Sequence, residues 1–108
     1  MGREINQYDI FWVSLDPTIG SEIAKKRPCV IISPNELNRH LRTVIIAPLT
    51  STIKDYPWRV DCLVLDKKGS IALDQIRTID KNRIGNILSP LKQSEIERIK
   101  SVLMEMLC

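Results

Sequence analysis

The chain has 108 residues, 44% of them hydrophobic and 27% charged, with a formal net charge of +3. That composition supports one domain with a modest core and excludes wholesale disorder, and no apolar run approaches the roughly 20 residues that span a bilayer. The mild basic excess permits a nucleic-acid partner without requiring one, and the N-terminus lacks a secretory apolar stretch, so a single cytoplasmic domain over residues 1–108 with no membrane association is expected.

Tyr8 to Leu15 and Cys29 to Ser33 read as the first two strands, rich in β-branched and aromatic residues. Between them runs a long polar connection, Asp16 to Pro28, with Lys25, Lys26 and Arg27 gathered at its exit. Connections of this length between strands are uncommon unless they do something. Pro28 pushes Arg27 toward extended backbone, so its guanidinium is held at the mouth of the loop. Ser33-Pro34-Asn35 opens a short helical turn, Glu36 to His40. Thr43 to Leu49 is nearly all apolar and reads as a buried strand, with Pro48 expected to stop or bulge its pairing.

After a polar loop, Thr50 to Pro57, the segment Trp58 to Leu63 alternates with the period of a strand. Lys67-Lys68-Gly69 reads as a turn, and Ser70 to Ile79 as one or two strands with Ile71, Leu73 and Ile76 inward. A short strand around Asn86-Ile87-Leu88 precedes the clearest helix, Gln93 to Cys108. Its apolar stripe is Ile96, Ile99, Leu103, Met106 and Leu107, while Glu95, Glu97, Lys100 and Glu105 face out. The expected fold class is mainly β with helices (α+β): a small, strongly bent antiparallel barrel closed by a carboxy-terminal helix.

Familiar catalytic sets are missing. Cys29, Cys62 and Cys108 are too scattered for a disulfide framework or a zinc site, and Cys29 and Cys62 sit among apolar residues as small core side chains. His40 is the sole histidine, so a two-histidine nuclease is excluded, and the carboxylates have no metal-ligand spacing. No glycine-rich phosphate loop is present, and no cofactor is expected. An enzyme built on this chain must work with Arg, Lys, Thr, Ser and Asp.

That set suffices for cleaving RNA. The ribose 2′-hydroxyl is an internal nucleophile, so the protein has only to align it and stabilise the negative charge that develops on the phosphate. A guanidinium fork contacts two phosphate oxygens at once, and a threonine hydroxyl at a strand end can donate to the same group. Arg27 and Thr50 each stand where a buried strand meets a polar loop. Spacing alone favours plainer roles, a surface ion pair between Arg27 and Glu22 and a turn cap for Thr50, because such residues are common in turns. Asp74-Gln75-Ile76-Arg77 sets polar groups inside an apolar stretch, which reads either as an Asp74–Arg77 ion pair or as a polar wall beside the Arg27 loop.

Taken in order, Asp16-Pro17-Thr18, Gly20-Ser21-Glu22, Arg27-Pro28, Ile31-Ile32-Ser33-Pro34, Pro48-Leu49-Thr50-Ser51, Tyr56-Pro57 and Asp74-Gln75-Ile76-Arg77 resemble the MazF/PemK/Kid family of toxins over nearly the whole chain. The resemblance implies an SH3-like barrel and a sequence-specific, metal-independent endoribonuclease. Its substrate is single-stranded RNA, and its products are a 2′,3′-cyclic phosphate and a 5′-hydroxyl. The family's essential arginine and threonine correspond to Arg27 and Thr50. Glu22, Lys25, Lys26, Ser51, Asp74, Gln75 and Arg77 are the implied substrate-binding positions. It also implies a homodimer, and a cognate antitoxin whose acidic disordered tail fills the RNA groove.

Many relatives carry Gln and Gly where this chain has Ile23 and Lys25, which bears on base preference more than on chemistry. Loops Ile19–Lys26 and Ser51–Pro57 are the expected specificity elements. Two rival readings share the fold: a gyrase inhibitor of the CcdB branch, and a relative that binds RNA without cutting it. The tail Val102 to Cys108 has no aromatic residue, unlike the gyrase-directed branch.

Overall fold

Alternating apolar residues build a seven-stranded antiparallel sheet in the computed structural model, which describes residues 4–14, 26–51 and 56–108. In chain order the elements are β1 (Asp9–Ser14), β2 (Lys26–Ile31), α1 (Asn35–His40), β3 (Thr43–Thr50), β4 (Arg59–Val64) and β5 (Lys67–Ala72). They continue with β6 (Arg77–Asp80), β7 (Ile84–Pro90) and α2 (Gln93–Leu107). The strand order is β4-β5-β3-β2-β1-β7, and β6 also pairs with β3. The sheet curls into a half-barrel with α2 packed against β4, so the expected bent antiparallel fold with a carboxy-terminal helix is present.

β3 makes the curl. One edge pairs with β2, from Ile46 to Pro48; the other pairs with β6 over Thr43–Ile46 and then with β5 over Leu49–Thr50. The handover falls at Ala47–Pro48, where proline has no N–H to give to a ladder. The expectation that Pro48 interrupts pairing therefore holds on that edge alone, because Pro48 is still matched to Cys29 on the β2 side.

Period-two alternation sends neighbouring residues to opposite faces, and both faces are covered. One cluster gathers Ile10, Val30, Ala47, Leu49, Val60, Val64 and Ile71 beneath Ile99 of α2. The other gathers Phe11, Val13, Cys29, Ile31, Val44, Ile46 and Ile79 beneath Ile5. Cys29 and Cys62 are buried, as their apolar neighbours suggest, and burial pushes both thiols up to about 12. Asn38 of α1 is buried too: its Nδ2 donates to the Ser33 carbonyl at 2.9 Å, and Ser33 Oγ accepts from Ile45 N–H at 3.0 Å.

Three local expectations are corrected. Lys67-Lys68-Gly69 is no turn but the first half of β5; the reversal is Leu65-Asp66, both at positive φ (53° and 63°). Positive φ at both central residues is the geometry of a tight type I′ hairpin, normally marked by Asn-Gly, a signal missing here. Glu95 does not face out. It is half-buried, accepts from Leu63 N–H at 3.2 Å and caps α2 by accepting from Lys92 N–H at 2.8 Å. Met106 and Leu107 continue the helical stripe but are exposed, so the buried part of the stripe ends before the last turn of α2.

Candidate functional site

The site residues are set by strand register. β2 against β3 matches Cys29 with Pro48, Val30 with Ala47 and Ile31 with Ile46. The matched pairs end at Cys29 and Pro48, and Arg27 and Thr50 each stand two residues beyond that last pair on adjoining strands. On the outer sides, Arg27 pairs with Val13 and Thr50 with Ser70. Arg27, expected at the exit of a loop, thus lies inside β2, where extended backbone and the ladder to β1 hold it. Its carbonyl accepts from Cys29 Sγ at 3.5 Å.

A cleft of about 510 Å³ opens at these strand ends. Lys26, Arg27 and Pro28 of β2, Thr50 of β3 and the following Ser51 line it together with Leu65, Lys67, Lys68 and Gly69 of the β4–β5 hairpin. Trp12, Leu49, Val64 and Leu88 make an apolar floor. Gly69 permits the close meeting of the hairpin with β3, since a Cβ there would stand 3.3 Å from the Thr50 carbonyl oxygen. Among the described residues around the cleft, four are cationic (Lys26, Arg27, Lys67, Lys68) and none is acidic, so this lining attracts an anion.

Arg77 does not line this cleft but belongs to the same neighbourhood. It sits on β6 opposite Ile46, and both Arg27 and Arg77 act electrostatically on the Cys29 thiol, opposing the larger upward push of burial. The sequence left open an Asp74–Arg77 ion pair, and the structure replaces it. The short turn Leu73–Gln75 swings Asp74 toward β4, where Arg59 Nε donates to Oδ1 at 2.9 Å and Nη2 to Oδ2 at 3.3 Å. That hydrogen-bonded fork holds the Asp74 carboxyl below its ordinary value and raises Arg59. Arg59 also lies 5.8 Å from the centre of the Tyr56 ring, which stacks on Trp58 at 4.9 Å and 17°.

Of the residues singled out from sequence, Arg27, Thr50, Lys26 and Ser51 meet at one cleft. Asp74, Gln75 and Arg77 are exposed and stand apart from its lining. Glu22 and Lys25, with the rest of the loop between β1 and β2, lie outside the described residues, as does the Glu22–Arg27 pairing. His40 is exposed at the end of α1 and is not part of the cleft. Sequence reasoning missed Lys67, Lys68 and the floor residue Trp12. The basic pair was visible, but with Gly69 it read as a turn. Among the described residues no group of three His, Cys, Asp or Glu is placed to hold a metal ion. No helix among them is long and apolar enough to cross a membrane.

A strand-end arginine and a threonine of the adjoining strand, over a cationic cleft on a curled half-barrel, have a match in sequence. Residues 6–107 fit the family model described as PemK-like, MazF-like toxin of type II toxin–antitoxin systems. The chain belongs to this family. An endoribonuclease MazF of Staphylococcus saprophyticus is 35% identical over 101 residues, covering 88% of this chain and 84% of that protein. The fold agrees with solved toxins of the family at lower identity. A MazF crystal structure from Deinococcus radiodurans is 23% identical, covers 98% of each chain and superposes with a TM-score of 0.81. A mycobacterial endoribonuclease in complex with its cognate antitoxin is 24% identical, covers 95% of this chain and 94% of its own, and gives 0.79.

Proposed function

We propose that this protein is the toxin of a type II toxin–antitoxin pair and cuts single-stranded RNA as a sequence-specific, metal-independent endoribonuclease. The observation that carries the reading is that Arg27 of β2 and Thr50 of β3 line one cleft in which no described residue is acidic. Family membership and the name of the staphylococcal relative support it.

The chemistry follows from what these side chains can donate. The ribose 2′-oxygen attacks the adjacent phosphorus, a 2′-O–P bond forms, the P–O5′ bond breaks, and the products are a 2′,3′-cyclic phosphate and a 5′-hydroxyl. Arg27 stays protonated, so it serves as an electrostatic stabiliser and a donor, never as the base. Its fork holds two phosphate oxygens while the negative charge grows. The Thr50 hydroxyl donates to the same phosphate from the neighbouring strand, and the leaving 5′-oxygen takes back the proton that the 2′-hydroxyl gave up. The 2′-hydroxyl proton passes to a base outside this pair. Fixing the phosphate between two β-strands supplies the alignment on which an internal nucleophile depends.

The same cationic lining suits an acidic antitoxin segment, which would silence the toxin by occupying the cleft; the antitoxin-bound mycobacterial neighbour supports that partner. We place the toxin in the cytoplasm, as a homodimer. The test is incubation of purified protein with a long RNA in EDTA, followed by mapping of the new 5′ ends. Discrete cuts bearing 5′-hydroxyl and cyclic-phosphate termini are expected. RNA that is bound but uncut would refute the enzyme in favour of a binding relative, and stabilised gyrase–DNA complexes with intact RNA would point to the gyrase-directed branch.

A further inference from the structure

Strand register divides the lining of the cleft between the two faces of the sheet. Residues matched across a ladder share a face, and so do residues two apart on one strand. Cys29 is matched to Pro48, so Arg27 and Thr50, two residues further along each strand, stand on one face. Thr50 is matched to Ser70, which brings Lys68 to that same face. Lys67 goes the other way. It is matched to Val64, which belongs to the core cluster beneath Ile99 of α2. Of the two lysines in the hairpin, only Lys68 shares a face with Arg27 and Thr50.

We propose that Lys68 of β5 places its ammonium group beside the phosphate held by Arg27 and Thr50 and stabilises the charge that grows there during cleavage; this rests on the endoribonuclease reading above. Lys68 lies two residues from the partner of Thr50 and is therefore its diagonal neighbour, about 7–8 Å away, a separation that long side chains bridge. The lysine is exposed and lines the cleft together with both residues. β3 runs between β2 and β5, so a phosphate over Thr50 meets the guanidinium fork on one side and a point charge on a flexible stem on the other.

A carboxylate competes for this lysine. Asp61 is matched to Ser70 from the far side of β5, which makes it the other diagonal neighbour of Lys68, and the two border a hollow shared with Glu95. Glu95 is already engaged by the Leu63 and Lys92 N–H groups. Lys68 thus stands between Asp61 and the phosphate position. A dianionic phosphorane draws it more strongly than the monoanionic diester does, so the contact tightens in the transition state, where it accelerates the reaction.

The test is single-turnover cleavage, at saturating protein, of an RNA with one mapped cut site. Lys68→Met keeps the length of the side chain and removes its charge. It is expected to slow cleavage about tenfold at low salt, less than the loss of a donor fixed on the oxyanion, because an exposed ammonium is screened. Lys68→Arg should recover most of the rate. Lys67→Met, on the opposite face, should stay within about twofold of wild type at the same salt. Both lysines are exposed, so every variant should keep the thermal transition of wild type. An unchanged rate in Lys68→Met overturns the inference, as does an equal loss in Lys67→Met, which would reflect undirected charge. A loss confined to affinity for an uncleavable 2′-O-methyl oligonucleotide, with the rate at saturating protein unchanged, overturns it as well. Wild-type protein that binds RNA without cutting it overturns the endoribonuclease reading instead, so the two failures are told apart.

Discussion

Replacing Arg27 by alanine and by lysine separates the two services that its guanidinium provides. Alanine removes both the charge and the fork. Loss of one donor aimed at a developing oxyanion costs about 10²–10³ in kcat, or roughly 2.7–4 kcal/mol. Lysine keeps a charge at the same strand position but loses the paired N–H geometry, and a hydrogen bond to a charged group is worth about 1.5–3 kcal/mol. Arg27→Lys should therefore lose about 10–100-fold, and Arg27→Ala more. Neither change should unfold the protein. Arg27 is exposed and contributes no apolar area to either core cluster, so the stability change should stay within about 0.5 kcal/mol. The assay is single-turnover cleavage of an RNA carrying one mapped cut site, with thermal unfolding of each variant alongside. Cleavage by Arg27→Ala within about threefold of wild type would refute the assigned role, because no oxyanion donor is that dispensable. A large loss accompanied by a collapsed thermal transition would refute the separation of catalysis from folding.

Other residues make claims of different kinds. Ser70 is fully buried and its Oγ has no hydrogen-bond partner among the described residues, so Ser70→Ala should stabilise the fold by about 1 kcal/mol, and a lower Tm would contradict that accounting. Asp74 titrates below its ordinary value of 3.8 because Arg59 donates to it, so the pair stabilises the fold above that value and stops doing so as pH falls through the lowered one. Arg59→Met should flatten the acid limb of a stability–pH curve, and a limb as steep as in wild type would rule out this source. Burial raises the Cys29 and Cys62 thiols to about 12, so iodoacetamide at mildly alkaline pH should modify the exposed Cys108 of native protein and reach the others only after unfolding. Mass spectrometry that finds Cys29 modified in the native state would contradict its place in the core.

The strands were readable because their apolar content is dense and their periods clear, from Ile10-Phe11 through the β3 run to Ile71. Arg27 and Thr50 were readable as candidates from their local setting, but their meeting depends on a register between β2 and β3 that no local pattern encodes. The hairpin at Leu65-Asp66 was hidden because its backbone uses positive φ without the glycine or asparagine that ordinarily announces it. That single omission moved Lys67 and Lys68 from a strand into a turn. Asp74 was matched to the wrong arginine for a related reason. Arg77 is near in sequence, whereas Arg59 arrives from the neighbouring strand, whose register pairs it with Ala72. At the end of α2 the helical stripe outlasts its buried part, and periodicity alone cannot mark where burial stops.

The seam between β3 and β5 is only two matched pairs long, Leu49 with Ile71 and Thr50 with Ser70. The β4–β5 ladder that hangs from it runs through six, from Arg59–Ala72 to Val64–Lys67. The hairpin does not hang by that seam alone: α2 packs on β4 and Glu95 accepts from Leu63 N–H, while Val60 and Val64 share a core cluster with Ile99. The carboxy-terminal helix is thereby a brace for the strand pair that abuts Thr50, and its packing bears on the candidate site without lining it.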